Sequence, residues 1–437
     1  MTLAIIIAFV LGYLLITLEG NLKVNKTAIA LLMSAVLWTL YTFNADAYLA
    51  PGASFDSMFL SHVGDTSEII FFLLGAMTIV EVVDINGGFN FVRNKLASKS
   101  KRSLLWKITF ITFFLSAVLD NLTTSIVMIM VLRKLVRRKR LRILYAAMII
   151  IAANAGGAFS PIGDVTTIML WIKGNISTLG PIEELLLPSL ATVVVPGLVL
   201  HFKLKGQLEP ATDNGEETPA VVYDFSLTQR NVVFYVGVLG LVLVPVFRTI
   251  TGLPPFMGVI LVLSILWVIT ECFYNNRKIE SNREQRVSRI LKNIDMSTIL
   301  FFLGILMAVA ALQETGTLSR FGASLDQWTG GNHYLVTGLI GVASSVVDNV
   351  PLVASCMGMY PIAPTGDFAT DGIFWQLLAY CAGTGGSILI IGSAAGVVVM
   401  GLEKISFGWY LRHFSLWAFL GMLSGMLIYF CQRLLFF

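Results

Sequence analysis

The chain has 437 residues, of which 56% are hydrophobic and only 13% charged, and its mean hydropathy is +0.80. These values exclude an ordinary soluble domain and point to an all-α polytopic membrane protein embedded in a lipid bilayer. The net charge of +4 implies no nucleic-acid surface, because the Lys and Arg residues fall in short loops between apolar runs, where membrane orientation accounts for them.

The first apolar run, 3–19, has neither a basic leader nor a small-residue cleavage site, so it is expected to remain as a span. Spans at 27–43 and 67–85 follow. The intervening residues 44–65 carry no Lys or Arg and are expected outside, whereas the basic clusters at 93–107 and 133–142 are expected in the cytoplasm. A single straight crossing between those clusters would put one of them on the wrong face. Residues 108–132 are therefore predicted to be a re-entrant hairpin of two arms with Asp120 and Asn121 at its tip; the alternative is one tilted span. A charged residue at bilayer depth costs roughly 2.5–3.5 kcal/mol on insertion scales, so Asp120 reads as functional.

Beyond the hairpin come a long helix at 143–172, a span at 184–202 and a polar cytoplasmic linker at 203–230 that reads as a disordered connection. The second part is predicted to hold spans at 231–247, 255–275 and 297–314, a hairpin at 334–356, a long helix at 373–400 and a last span at 414–432. Three matches tie the two parts together: FFLLGAM from Phe71 with FFLGILM from Phe301, SAVLDN ending at Asn121 with SSVVDN ending at Asn349, and NAGGAFSPIG from Asn154 with GTGGSILIIG from Gly383. The offsets agree closely, so residues 1–202 and 231–437 read as two repeats of five spans and one hairpin each. An odd number of crossings makes the second repeat inverted, the architecture of secondary transporters with a midplane site.

Both long helices are interrupted by small residues, at Gly156-Gly157 with Pro161 and at Gly385-Gly386. Unwinding there would free carbonyls and helix ends for an ion; close packing is the alternative. Asp164 reads either as a ligand or as a helix cap, and Thr166 and Thr167 either as hydroxyl ligands or as residues bonded back to their own helix. The expected site brings Asp120 and Asp348 together with Asn121, Asn349, Ser116, Ser344, Thr124 and Ser387, plus freed carbonyls at Gly156 and Gly385. Hard oxygen ligands with carboxylate charge suit a small hard cation. Carboxyl groups removed from water hold protons more readily, so cation and proton would compete for the same acids. Cys272, Cys356, Cys381 and Cys431 have no metal or disulfide spacing, and no nucleophile-base pair or phosphate loop suggests an enzyme.

At the two Asp-Asn tips and along NAGGAFSPIGDVTT, the sequence resembles the NhaD-type sodium/proton antiporters, a branch of the ion transporter superfamily that includes arsenite-efflux and dicarboxylate carriers. The resemblance covers most of the chain. It implies a homodimer in the inner (plasma) membrane, with elevator-like motion, Na+ or Li+ extruded against inward H+, and no cofactor beyond the transported ions. By motif match it assigns ion-site roles to Asp120, Asn121, Asn154, Asp164, Thr166, Thr167, Ser344, Asp348, Asn349 and Ser387. Dicarboxylate relatives typically carry Ser at the hairpin tips. A Na+-coupled carrier of a small organic anion or oxyanion on the same fold is the alternative; it needs a cationic group beside the site, and the hairpins and breaks contain no Lys or Arg. A channel is a further alternative, but it would not need paired protonatable groups.

Overall fold

The computed structural model describes residues 1–17, 24–49, 54–89, 95–96, 98, 100–208, 225–275 and 286–436. The middle of the predicted linker and part of the basic loop after residue 275 lie outside the described residues. Among the described residues the fold is all-helical, and seven helices are long and apolar enough to cross a membrane.

Helices α1 (Thr2–Thr17) and α2 (Lys26–Thr42) match the first two predicted spans. Asn25 starts α2 by accepting from the Thr27 amide at 2.8 Å. Helix α3 (Phe55–Ile85) begins twelve residues before the predicted span. Its 31 residues rise about 46 Å, well past the hydrocarbon thickness, so its polar first turns with Asp56, His62 and Asp65 stand beyond the apolar run that hydropathy detects.

The predicted first hairpin is two helices, α4 (Lys101–Leu119) and α5 (Asn121–Leu135), broken at Asp120 and packed against each other. Both arms extend beyond the predicted range 108–132. Asp120 has φ 73° and ψ 156°, a conformation nearly confined to glycine that costs about 1–3 kcal/mol. Its carboxylate offsets part of that cost by capping α5, accepting from the amide and hydroxyl of Thr123, both at 2.8 Å.

Helix α6 (Lys139–Ala158) is the most enclosed of the seven long helices, with α4 and α5 packed on it. The chain leaves helical conformation at 159–164 and resumes as α7 (Val165–Ile172). Next come α8 (Gly180–Lys203), α9 (Leu227–Thr251), α10 (Pro255–Asn275) and α11 (Met296–Glu314). An amphipathic helix without a counterpart among the predicted elements, α12 (Thr317–Thr329), precedes α13 (His333–Ser344) and α14 (Asn349–Met359), which cover the stretch predicted as the second hairpin and are joined by a turn at 345–348. Helix α15 (Ile373–Gly385), a non-helical stretch at 386–393 and α16 (Ala394–Glu403) form the second interrupted helix. A turn at Phe407–Tyr410 and a π-helical turn at Leu411–Ser415 lead into α17 (Leu416–Phe436).

Two seams recur in both parts of the chain. A Cβ at Gly156 would overlap the Phe113 carbonyl, and one at Gly385 would overlap the Gly341 carbonyl. Beside these contacts, Ser116 donates to the Ala153 carbonyl at 2.6 Å and Ser344 donates to the Ala382 carbonyl at 2.7 Å. Each first arm thus lies backbone to backbone against its interrupted helix. The parts also interlock: α16 packs on α5 and α6, while α14 packs on α7.

Candidate functional site

Four helix N-termini supply the site: α5, α7, α14 and α16 begin at Asn121, Val165, Asn349 and Ala394. Each is preceded by a side chain that caps it: Asp120, Asp164, Asp348 and Ser393. Helix N-termini each present about half a positive charge. Three of the four are met here by the chain's own carboxylates.

Asp164 is the hub of the network. It is 1% exposed. Its Oδ1 accepts from the amide and hydroxyl of Thr166, both at 2.9 Å, and Oδ2 accepts from Asn121 Nδ2 at 2.5 Å. Asn349 Nδ2 approaches both carboxylate oxygens at 3.4 Å. Of the two readings left open for Asp164, the cap on α7 is made by one oxygen, while the other oxygen accepts from Asn121. Asn121 also donates to Asn154 Oδ1 at 3.1 Å, and Asn154 Nδ2 donates to the hydroxyls of Ser387 and Ser393, both at 2.9 Å. This network joins α5, α6, α7 and α14 to the second interrupted helix.

Asn154→Ala would leave Asn121 and two buried hydroxyls short of a partner. It is expected to destabilise the protein by about 2–3 kcal/mol, read as a lowered midpoint in thermal unfolding of detergent-purified protein.

A cavity of about 50 Å³ lies against this network, lined by Asp120, Asn121, Asp164, Asp348 and Asn349 together with Lys26, Phe301 and Thr298. That volume has room for a small cation together with a few waters. Asp120 and Asp348 thus face one cavity, although the carboxylate bound by both sets of tip amides is Asp164.

Several expected ligands are placed differently. Gly156 and Gly385 remain helical, and the unwound stretches begin after them, so close backbone packing is the role their geometry explains. Ser344 donates to a backbone carbonyl in the seam described above, and Thr167 shares a capping box with Asp164, donating to the Asp164 carbonyl at 2.9 Å. Thr166 does reach the carboxylate. Thr124 lies one turn along α5 from Asp120, its hydroxyl buried without a hydrogen-bond partner.

One correction concerns charge. The sequence suggested no cationic group beside the site, yet Lys26, the first residue of α2, places its ammonium 3.1 Å from Asp348 Oδ2 and 4.4 Å from the Phe301 ring centroid. A lysine at the end of an apolar span ordinarily reads as a snorkelling side chain. Only the packing of α2 on α11 brings it inward.

The profile of the family described as citrate transporter (CitMHS) matches residues 13–376. The chain is 44% identical over 98% of its length to "Sodium/proton antiporter 1" of Arabidopsis thaliana, covering 72% of that protein, and 43% identical over 96% of its length to "Sodium/proton antiporter 2" of the same plant, covering 97% of it. It is also 30% identical over 91% of its length to "Na(+)/H(+) antiporter NhaD" of Vibrio cholerae, covering 84% of that chain.

Proposed function

The chain belongs to the citrate transporter family and, within it, to the NhaD-type sodium/proton antiporters, which are secondary transporters and not enzymes; from that membership we propose that it exchanges Na+ or Li+ for H+ across the membrane, with cation and protons competing for buried carboxylates. The observation that carries this reading is the convergence of Asp120, Asp164 and Asp348, together with Asn121 and Asn349, on one small cavity. Carboxylate and amide oxygens suit a hard monovalent cation. Burying an uncompensated charge is costly, so a cation or a proton must offset any buried carboxylate that no other group balances.

Two inverted repeats, 1–202 and 231–437, and re-entrant hairpins at the Asp-Asn tips are part of the same proposal. The paired seams at Gly156 and Gly385 support it, as do the matched serines Ser116 and Ser344. Elevator-type movement of the four capped helices against α2, α3 and α11, a homodimer, and residence in the inner (plasma) membrane complete the reading. A hairpin entering and leaving by one face makes single cysteines at positions 101 and 139 react with an impermeant maleimide from the same side; labelling from opposite sides would remove the hairpin.

The family description and Lys26 favour one second reading, a Na+-coupled carrier of a small organic anion. Four helix N-termini do form an anion-attracting frame. In this chain, however, Asp120, Asp164 and Asp348 occupy three of those termini, so a substrate carboxylate would meet like charge. Proteoliposomes containing a pH dye separate the readings: Na+ or Li+ added outside should drive H+ movement without any organic anion. A requirement for citrate or another dicarboxylate would favour the rival.

A further inference from the structure

Lys26 lies on α2, outside α4, α5, α13, α14 and both interrupted helices, yet its ammonium pairs with Asp348 and lines the same cavity. We propose that Lys26 is a tethered counter-ion that competes with the transported cation for Asp348 and so sets the apparent affinity for Na+. The inference rests on the exchange reading and names a specificity-determining residue for it.

Charge balance supports the assignment. The charged residues lining the cavity, among those described, are Asp120, Asp164, Asp348 and Lys26. Four helix N-termini contribute about two positive charges in all. With the ammonium in place Asp348 is already compensated, so a cation bound there as well would add unbalanced positive charge to the cavity. An alkali ion that displaces Lys26 replaces one positive charge with another and preserves the balance.

The geometry also permits displacement. Side chains of Lys26 and Asp348 are 30% and 18% exposed, so the pair is partly screened and its attraction modest. Asp348 in addition caps α14, accepting from the Val350 amide at 3.3 Å, so the carboxylate keeps its position when the ammonium swings away. Lys26 sits on the first turn of α2, which packs on α1 and α11, and its long flexible stem can leave the cavity without moving that helix. The Phe301 face gives the ammonium a cation-π contact beside Asp348, a position from which it can return.

The test compares wild type, Lys26→Gln, Lys26→Met and Lys26→Arg. Half-maximal Na+ is measured for proton flux in proteoliposomes, and Kd for radioactive Na+ is measured on detergent-purified protein. Removing the competitor should lower both values about two- to fivefold in the Gln and Met variants, whereas Lys26→Arg should leave them equal to or above wild type. A merely structural lysine would give weaker Na+ binding or lost protein, the opposite sign. Unchanged or raised values in Gln and Met overturn the proposal, as does failure of both variants to fold, because a displaceable counter-ion is not needed for folding. If wild type carries no Na+-driven flux, the exchange reading falls, while the Kd comparison still decides the part played by Lys26.

Discussion

Asp164→Asn is expected to abolish Na+-driven proton exchange, lowering the initial rate in proteoliposomes by about 100-fold or more while the protein still inserts and purifies. The carboxylate accepts from Asn121 on one oxygen and from Thr166 on the other, with Asn349 approaching both. An amide in its place keeps the shape and one acceptor. It removes the negative charge and turns an NH2 group toward either Asn121 or the capped end of α7, where donors already point. Neither a cation nor an exchangeable proton can then be held. Asp120→Asn and Asp348→Asn should also eliminate exchange, since each takes a carboxylate from the same cavity. Asp164 differs in that its loss also breaks the link it makes between Asn121 and Asn349. Near-normal Na+-driven flux in Asp164→Asn would contradict that placement.

Glu403→Gln should give the largest loss of stability away from the site. Glu403 closes α16 with a fully buried side chain, and its two oxygens accept from Arg133 Nε at 2.7 Å and Arg142 Nε at 2.6 Å. Arg133 also donates to the Leu402 carbonyl. One carboxylate therefore ties the last turn of α5 and the first turn of α6 to the opposite part of the chain. Removing a buried partner strands the remaining charges, at a cost of about 3–5 kcal/mol in full burial. Because the arginines are partly exposed, the expected cost is about 2–3 kcal/mol, read as a lowered unfolding midpoint. Exchange by protein that remains folded should persist, since Glu403 does not line the cavity.

Hydropathy suffices to place most spans, and the predicted range 255–275 coincides with α10. The tip aspartates stood out because unpaired charge in an apolar run is expensive, and the two interruptions stood out because small residues recurred in both parts of the sequence. Other features depended on signals that a linear reading lacks. The first turns of α3 are polar helix beyond the apolar run, and α12 is short and amphipathic, so neither raises a hydropathy window. Gly156 and Gly385 signalled a special backbone, but sequence cannot tell unwinding from close approach; Phe113 and Gly341, remote in the chain, decide for close approach. The bond of Ser393 to Asn154 needed the fold. Lys26 lies 322 residues from Asp348, and no local pattern marks that pairing.

Proton release on Na+ binding tests the competition most directly. Purified protein in weakly buffered detergent solution, near the pH at which exchange is half-maximal, should acidify the medium when NaCl is added and respond far less to choline chloride. Asp164→Asn should give no Na+-specific release. Saturable Na+ binding with no proton released by the wild type, or undiminished release from Asp164→Asn, would contradict a shared site for the two ions.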